Sequence, residues 1–155
     1  MASGPWVFPN KAKLNMVSAT DLLNPSNSFK IALVTSAWTP APTTDEVWAD
    51  MSANEIATAG QTAYAAGGEA LASVTLTQTA GVVKFTCANP AWTADGTGIP
   101  AWRYGLVYAV GTLNGKVNPV VGYFLGDATP ADVPLTTSTN SLTVTIDALG
   151  IVSAS

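Results

Sequence analysis

The charged and thiol side chains of this chain are ten carboxylates, six bases and one cysteine, and none of the 155 residues is histidine. The chain therefore lacks the side chain that most often serves as general base, nucleophile activator or metal ligand. A serine–lysine pair or a carboxylate pair is the acid–base arrangement that these residues still allow. Most of the acids, however, stand beside Thr, Gly or Pro, where an acid ordinarily caps a turn. We therefore predict that the protein is not an enzyme and holds no metal or cofactor.

The segment Asp95-Gly96-Thr97-Gly98 superficially resembles a calcium-binding or phosphate-binding loop. It has too few acids to bind calcium, and neither a lysine nor a predicted helix follows it, as phosphate binding would require. We interpret it as a turn.

Arg103 lies between Trp102 and Tyr104 at the start of a predicted strand. An arginine in this position stacks on an aromatic ring, pairs with a loop carboxylate such as Asp95 or Asp127, or contacts a partner chain. We favour the internal, structural role and keep the partner contact as the alternative.

Tryptophan raises the alternative of a sugar-binding surface, since several indole rings on one face can stack on sugars. Here the five tryptophans are scattered over a predicted arm, loops, helix and strand, at Trp6, Trp38, Trp48, Trp92 and Trp102. Tryptophan in a small β domain more often fills a core or an interface. Sugar binding is therefore the lesser prediction, with Trp38 and Trp92 as the side chains to test.

Composition predicts one domain whose surface is poor in charge. The formal net charge is −4 and charged residues make up 10% of the chain, so the basic stripe that a nucleic acid backbone requires is missing.

The N-terminal residues do not resemble a secretory signal, and no window of membrane-spanning length is free of polar or helix-breaking residues. The alternating run around Cys87 predicts a buried free thiol. Few charges and many Thr and Ala favour a surface that is covered in an assembly.

The segment 101–126 is predicted to be the central hairpin. Asn114-Gly115 interrupts its apolar run, and Asn-Gly favours a type I′ turn because both central residues then adopt positive φ. Counting back from this turn gives a register in which large residues meet on one face and each glycine meets a large residue on the other. The predicted pairs are Leu113–Lys116, Tyr108–Val121, Val107–Gly122, Leu106–Tyr123, Gly105–Phe124 and Tyr104–Leu125.

The rest of the chain predicts further antiparallel strands around this hairpin. A second hairpin over 71–88 turns at Ala80-Gly81 and pairs Leu76 with Phe85 and Val74 with Cys87, with the apolar side chains inside. Residues 29–35 and 141–147 alternate as strands, and residues 45–56 are predicted to form a short helix. We predict a mainly β protein, an antiparallel β-sandwich or jelly-roll-like domain over 14–155, preceded by an extended N-terminal arm over 1–13.

Several segments together resemble a family of small virion structural proteins from tailed bacteriophages. They are SFKIALVTSAWTP (28–40), VWADMSANEI (47–56), AAGGEALASVTLT (65–77), GVVKFTCANPAWTADGTGIPAWRYGLVY (81–108) and PVVGYFLG (119–126). The resemblance covers roughly residues 28–153 and brings no catalytic residues. It implies a protein made in the bacterial host cytoplasm and carried on the virion, with capsid decoration (cement) as the expected role on the outer capsid surface.

The expected partners are the major capsid protein of the same phage and further copies of this chain, as a dimer or trimer, with no nucleic acid or membrane partner. The arm lies either on its own domain or on a neighbouring molecule, and we predict that it contributes to the partner interface together with the loop 92–100. The predicted interface residues are Trp6, Val7, Phe8, Trp92, Ile99 and Pro100. The alternatives are a head–tail junction, tail or baseplate protein and a host-glycan-binding module.

Overall fold

The computed structural model describes residues 6, 7, 9, 22–79, 82–129 and 131–154. Within these residues the chain is mainly β and antiparallel, as the sequence predicts. The turn at Ala80-Gly81 and most of the segment before Leu22 lie outside the described residues. The strands are β1 (Trp6–Val7), β2 (Phe29–Val34), β3 (Glu69–Ala70), β4 (Thr75–Thr79), β5 (Val82–Thr86), β6 (Ala91–Thr93), β7 (Tyr104–Ala109), β8 (Thr112–Leu113), β9 (Lys116–Val117), β10 (Val120–Leu125), β11 (Ser141–Thr143) and β12 (Val152–Ala154).

A five-stranded sheet in the order β1-β10-β7-β2-β3 forms the centre of the fold. One of its faces packs, through Phe29, Ile31 and Phe124, against the small sheets β12-β5-β4 and β11-β6. The opposite face is covered by Trp38 and Met51 from the connection after β2. Because both faces are covered, β2, β7 and β10 are buried along nearly their whole length.

The central hairpin follows the predicted register with one exception. Asn114 and Gly115 form the turn with φ of 50° and 73°, and Leu113 pairs with Lys116. The pairs at 104–107 are also confirmed. Tyr108, however, lies opposite Val120 rather than Val121, because the ladder is irregular between Val120 and Gly122.

This irregularity is offset by a second one nearer the turn. Asn118 N–H donates to Gly111 O, whereas Ala109 N–H donates to Pro119 O, which leaves Val110 as an extra residue on the first strand. Two bulges on opposite strands restore the predicted register for the remainder of the hairpin.

The predicted helix over 45–56 is instead two 3₁₀ turns, Trp48–Asp50 and Ser52–Asn54. Val47 has extended backbone and forms a bridge with Pro119, and Glu55 forms a bridge with Val34. Only seven residues remain between these anchors, so an α-helix cannot develop beyond a turn or two. The Asp50 carboxylate accepts hydrogen bonds from the N–H groups of Glu46 (2.9 Å) and Val47 (3.0 Å) and stabilises the first turn.

Candidate interaction surface

The described part of the predicted arm lies on its own domain as the edge strand β1. Trp6 pairs with Phe124, and the two ring centroids are 4.3 Å apart. Val7 lies opposite Tyr123 with 39% of its surface exposed, and Phe8 lies outside the described residues. Trp6 therefore contributes to the core, while Val7 offers an apolar side chain at the edge of the sheet.

The loop that follows Trp92 turns its apolar residues inward. Trp92 is 3% exposed, and Ile99 is fully buried. Reciprocal backbone hydrogen bonds of 2.9 Å between Ile99 and Thr136 hold the loop against the segment that precedes β11. Trp92 lies in strand β6 rather than in the predicted loop. Of the three predicted interface residues in the segment 92–100, Pro100 is half-buried, and Trp92 and Ile99 have almost no accessible surface.

The tryptophans proposed for sugar stacking are also buried. Trp38 is 5% exposed and lies edge-on to Tyr104, at 5.0 Å between ring centroids. Trp48 is half-buried and stacks in parallel on Tyr108 at 5.2 Å. Indole rings that pack against tyrosine rings or in the core offer no free face to a sugar, so these residues do not favour the glycan-binding alternative.

Arg103 makes an internal ion pair, although its partner differs from both acids that the sequence suggested. Its Nε donates to Asp132 Oδ1 at 2.8 Å, and Ser36 Oγ donates to the same carboxylate. Asp95 and Asp127 bind other groups. Asp95 accepts a hydrogen bond from Thr62 N–H, and Asp127 accepts one from Thr129 N–H. The pair is partly exposed and contributes little to stability.

The described acids mainly organise turns, as their neighbours in the sequence predict. Asp95 is the clearest example: it accepts hydrogen bonds from the N–H groups of Thr62 (2.8 Å) and Ala63 (3.1 Å) and from the Thr62 hydroxyl. These hydrogen bonds hold the pKa of Asp95 below its usual value. Within the described residues no group of three or more Asp, Glu or Cys side chains is arranged to hold a metal ion.

A buried hydrogen-bond network around Glu55 escaped the sequence analysis. The Tyr64 hydroxyl accepts from Leu33 N–H at 2.9 Å and donates to Glu55 Oε1 at 2.8 Å, and Gly67 N–H donates to the same oxygen at 2.7 Å. The Tyr108 hydroxyl donates to Gly67 O at 2.7 Å. Burial raises the pKa of Tyr64 far above its usual value and that of Tyr108 to about 12, so both remain protonated donors.

This network fixes the irregular segment after Glu55 to strands β2 and β7. The sequence carries no clear signal for it, because Glu55 and Tyr64 share no periodic pattern. The Tyr64 hydroxyl, Glu55 Oε1 and the Tyr108 hydroxyl all have partners within the network, which indicates a structural role.

The apolar face of the β4–β5 hairpin was predicted to be buried, but part of it is exposed to solvent. Leu76 lies opposite Phe85, as predicted, and Phe85 is fully buried. Leu76 is nevertheless 41% exposed, and Val83, on the same face of the hairpin, is 37% exposed. The alternating pattern predicted which face is apolar but not how far the opposing layer reaches.

Cys87 follows this hairpin as a half-buried free thiol, and burial raises its pKa to about 11.

The described surface therefore combines few charges with scattered apolar side chains. Two ion pairs, Arg103–Asp132 and Lys116–Glu46, occur among the described residues. The large apolar side chains that are exposed are Val7, Leu76, Val83, Val110, Val117, Leu135 and Leu149.

The described residues contain no helix of a length and apolar character that would let it cross a membrane. Comparisons of the chain with models of known protein families, with curated proteins and with solved structures found no match.

Proposed function

We propose that this protein is a non-enzymatic virion structural protein of a tailed bacteriophage. In this proposal it decorates the outer surface of the capsid, binds the major capsid protein and stabilises the shell. The observation that carries the proposal is the set of exposed apolar side chains on a charge-poor β domain. The resemblance of segments 28–40, 81–108 and 119–126 to virion structural proteins supports the same class.

Adhesion through such a surface needs no catalytic group. A specific contact buries about 800 Å² on each partner. A shell presents the same site many times, and an oligomer that engages two or three neighbouring sites gains avidity without any new kind of contact. A modest affinity at each site is therefore enough to reinforce a shell.

The side of the domain that carries β1 is the face that we assign to the capsid. The described part of the edge strand is Trp6–Val7, and Val7 projects from it with 39% of its surface exposed. The neighbouring Phe8 adds a second apolar side chain by sequence.

Binding to capsids that lack this protein tests the proposal. Purified protein is mixed with such particles, and occupancy is measured by co-sedimentation and by particle imaging. We expect hundreds of copies per particle. We also expect Val7→Lys to weaken binding at least tenfold, because burial of the exposed 39% of this valine contributes about 1 kcal/mol and a lysine adds a charge that the contact must desolvate. Val117→Lys is the matched control, since Val117 is an exposed valine on β9, outside the edge strand β1.

Failure of the wild-type protein to bind these particles would refute the proposal. A stoichiometry of roughly six to twelve copies per particle would instead support the head–tail junction or tail alternative. Deletion of residues 1–10 is a less specific variant, because it also removes Trp6 from Phe124 and so uncovers the core. The point substitution at Val7 separates a lost contact from a weakened fold.

A further inference from the structure

Strand β4 has an unpaired edge that is the longest in the described part of the fold. The order β12-β5-β4 places β4 at the end of its sheet, with five residues from Thr75 to Thr79. Among the described residues, the end strands β1 and β3 of the central sheet have two residues each. Short strands protect a sheet edge against further pairing, whereas a longer edge offers its backbone groups to another strand.

The hydrogen bonds of β5, the strand beside β4, show which backbone groups of β4 point outward. Phe85 O accepts from Ile151 N–H at 2.8 Å, so the backbone groups of Phe85 point towards β12. Backbone direction alternates along a strand, so those of Lys84 and Thr86 point towards β4. Their partners there are Thr77 and Thr75. The N–H and C=O groups of Leu76 and Gln78 therefore point outward.

We propose that this edge pairs with the same edge of a second copy and forms a two-fold symmetric dimer. An antiparallel pair centred on Thr77 places Leu76 opposite Gln78 of the second copy and Thr75 opposite Thr79. Both outward residues of each copy then form backbone hydrogen bonds, four in all, and every remaining pair is Thr–Thr. Thr–Thr pairs stabilise neighbouring strands, and the two small sheets join into one sheet of six strands.

Two properties of the edge favour a second copy as the occupant. The sequence TLTQT is nearly palindromic, so it matches itself in the antiparallel direction. It also contains none of the lysines, acids or prolines that protect natural edges, so no like charges lie directly opposite each other in the paired strands. Leu76 and Val83 lie partly exposed beside this edge and gain cover from the second copy.

The dimer does not depend on the capsid proposal, and either can fail without the other. Five paired residues bury less than the about 800 Å² per partner of a stable complex, so we expect weak association in the micromolar to millimolar range.

Sedimentation velocity over a concentration series tests the pairing. We expect the wild-type chain to dimerise and Leu76→Lys with Gln78→Lys to weaken the dimer at least tenfold, because lysines then face one another across the dyad. Leu76→Lys with Gln78→Glu restores it, because each lysine then lies opposite a glutamate. Val117→Lys is the control for added charge, and near-ultraviolet circular dichroism checks the fold of each variant.

A covalent trap tests the register separately. Thr77 lies on the dyad in a non-hydrogen-bonded pair, where the Cα atoms of opposing residues are about 4.5 Å apart, within reach of a disulfide. We expect Thr77→Cys, in a Cys87→Ser background, to form an intermolecular disulfide on oxidation. A wild-type chain that stays monomeric at millimolar concentration overturns the proposal, as does a double-lysine variant that dimerises like wild type. A dimer that the lysine–glutamate variant fails to restore overturns the register.

Discussion

Replacing Gly105 with alanine tests how tightly the central hairpin is packed. A Cβ atom built at Gly105 would lie 2.2 Å from Phe124 Cζ and 2.3 Å from its Cε1, whereas ordinary van der Waals contact begins at 3.4 Å. The ring would have to withdraw by about 1 Å. Phe124 is fully buried between Trp6 and Trp102, with ring centroids at 4.3 and 6.2 Å, so these rings oppose its displacement.

The expected loss of stability is large for the addition of one methyl group. Gly105 lies in a strand and does not have positive φ, so alanine strains no backbone and the effect is purely steric. Overpacking of a rigid core costs about 1–3 kcal/mol, and we expect the upper end of that range. For a chain of this size, about 3 kcal/mol lowers the midpoint of thermal unfolding by about 6–12 °C.

Urea and thermal unfolding, followed by tryptophan fluorescence, measure this loss. Gly122→Ala is the matched control, because its Cβ would meet only Val7 O at 3.2 Å, and we expect less than half the cost. In a Phe124→Leu background the ring is absent, so Gly105→Ala lowers the free energy of unfolding by less. The double-mutant cycle should then yield a coupling of at least about 1 kcal/mol. A Gly105→Ala protein within about 0.5 kcal/mol of wild type would refute the proposed packing.

Two further predictions concern the hydrogen-bonded segments around the core. Tyr64→Phe leaves the buried Leu33 N–H without its acceptor, so we expect the free energy of unfolding in urea to fall by about 1–3 kcal/mol, and an unchanged midpoint would contradict the network. The pKa of Asp95 is lower in the folded state than in the unfolded chain, so its contribution to stability is present above the unfolded pKa and is lost as pH falls through the folded pKa. Thermal midpoints from about pH 5 to about pH 2 should therefore decline less steeply for Asp95→Asn, and coincident profiles would show that Asp95 stabilises nothing.

The register of the central hairpin was predictable because two independent signals agree on it. Asn114-Gly115 fixes the turn, and the match of Gly105 with Phe124 fixes the face that each residue occupies. A side-chain period of two makes any slip costly, since it would turn every buried residue outward. Pro119, which lacks an N–H group, indicates an edge or a bulge near the turn. The positions of the two bulges, at Val110 and between Val120 and Gly122, were not predictable, because they depend on contacts with other segments.

The features that sequence reasoning missed are those set by distant parts of the chain. The segment 45–56 has helical spacing, but the bridges of Val47 and Glu55 to strands override that local preference. Arg103 pairs with Asp132, which is remote in sequence and joined to it by the fold alone. Trp92 was expected at an interface, whereas the second layer that buries it is assembled from several short strands.

The burial of both faces of the central sheet determines where this protein can meet a partner. Trp38 and Met51 cover one face and the small sheets cover the other, so neither face is available as a platform. Exposed apolar groups remain at the sheet edges, as Val7 on β1 and Leu76 on β4 show. Contacts at such places combine a few apolar side chains with unpaired backbone groups. Substitutions that add charge at these edges should therefore affect assembly far more than they affect folding, whereas substitutions of the buried tryptophans should do the reverse.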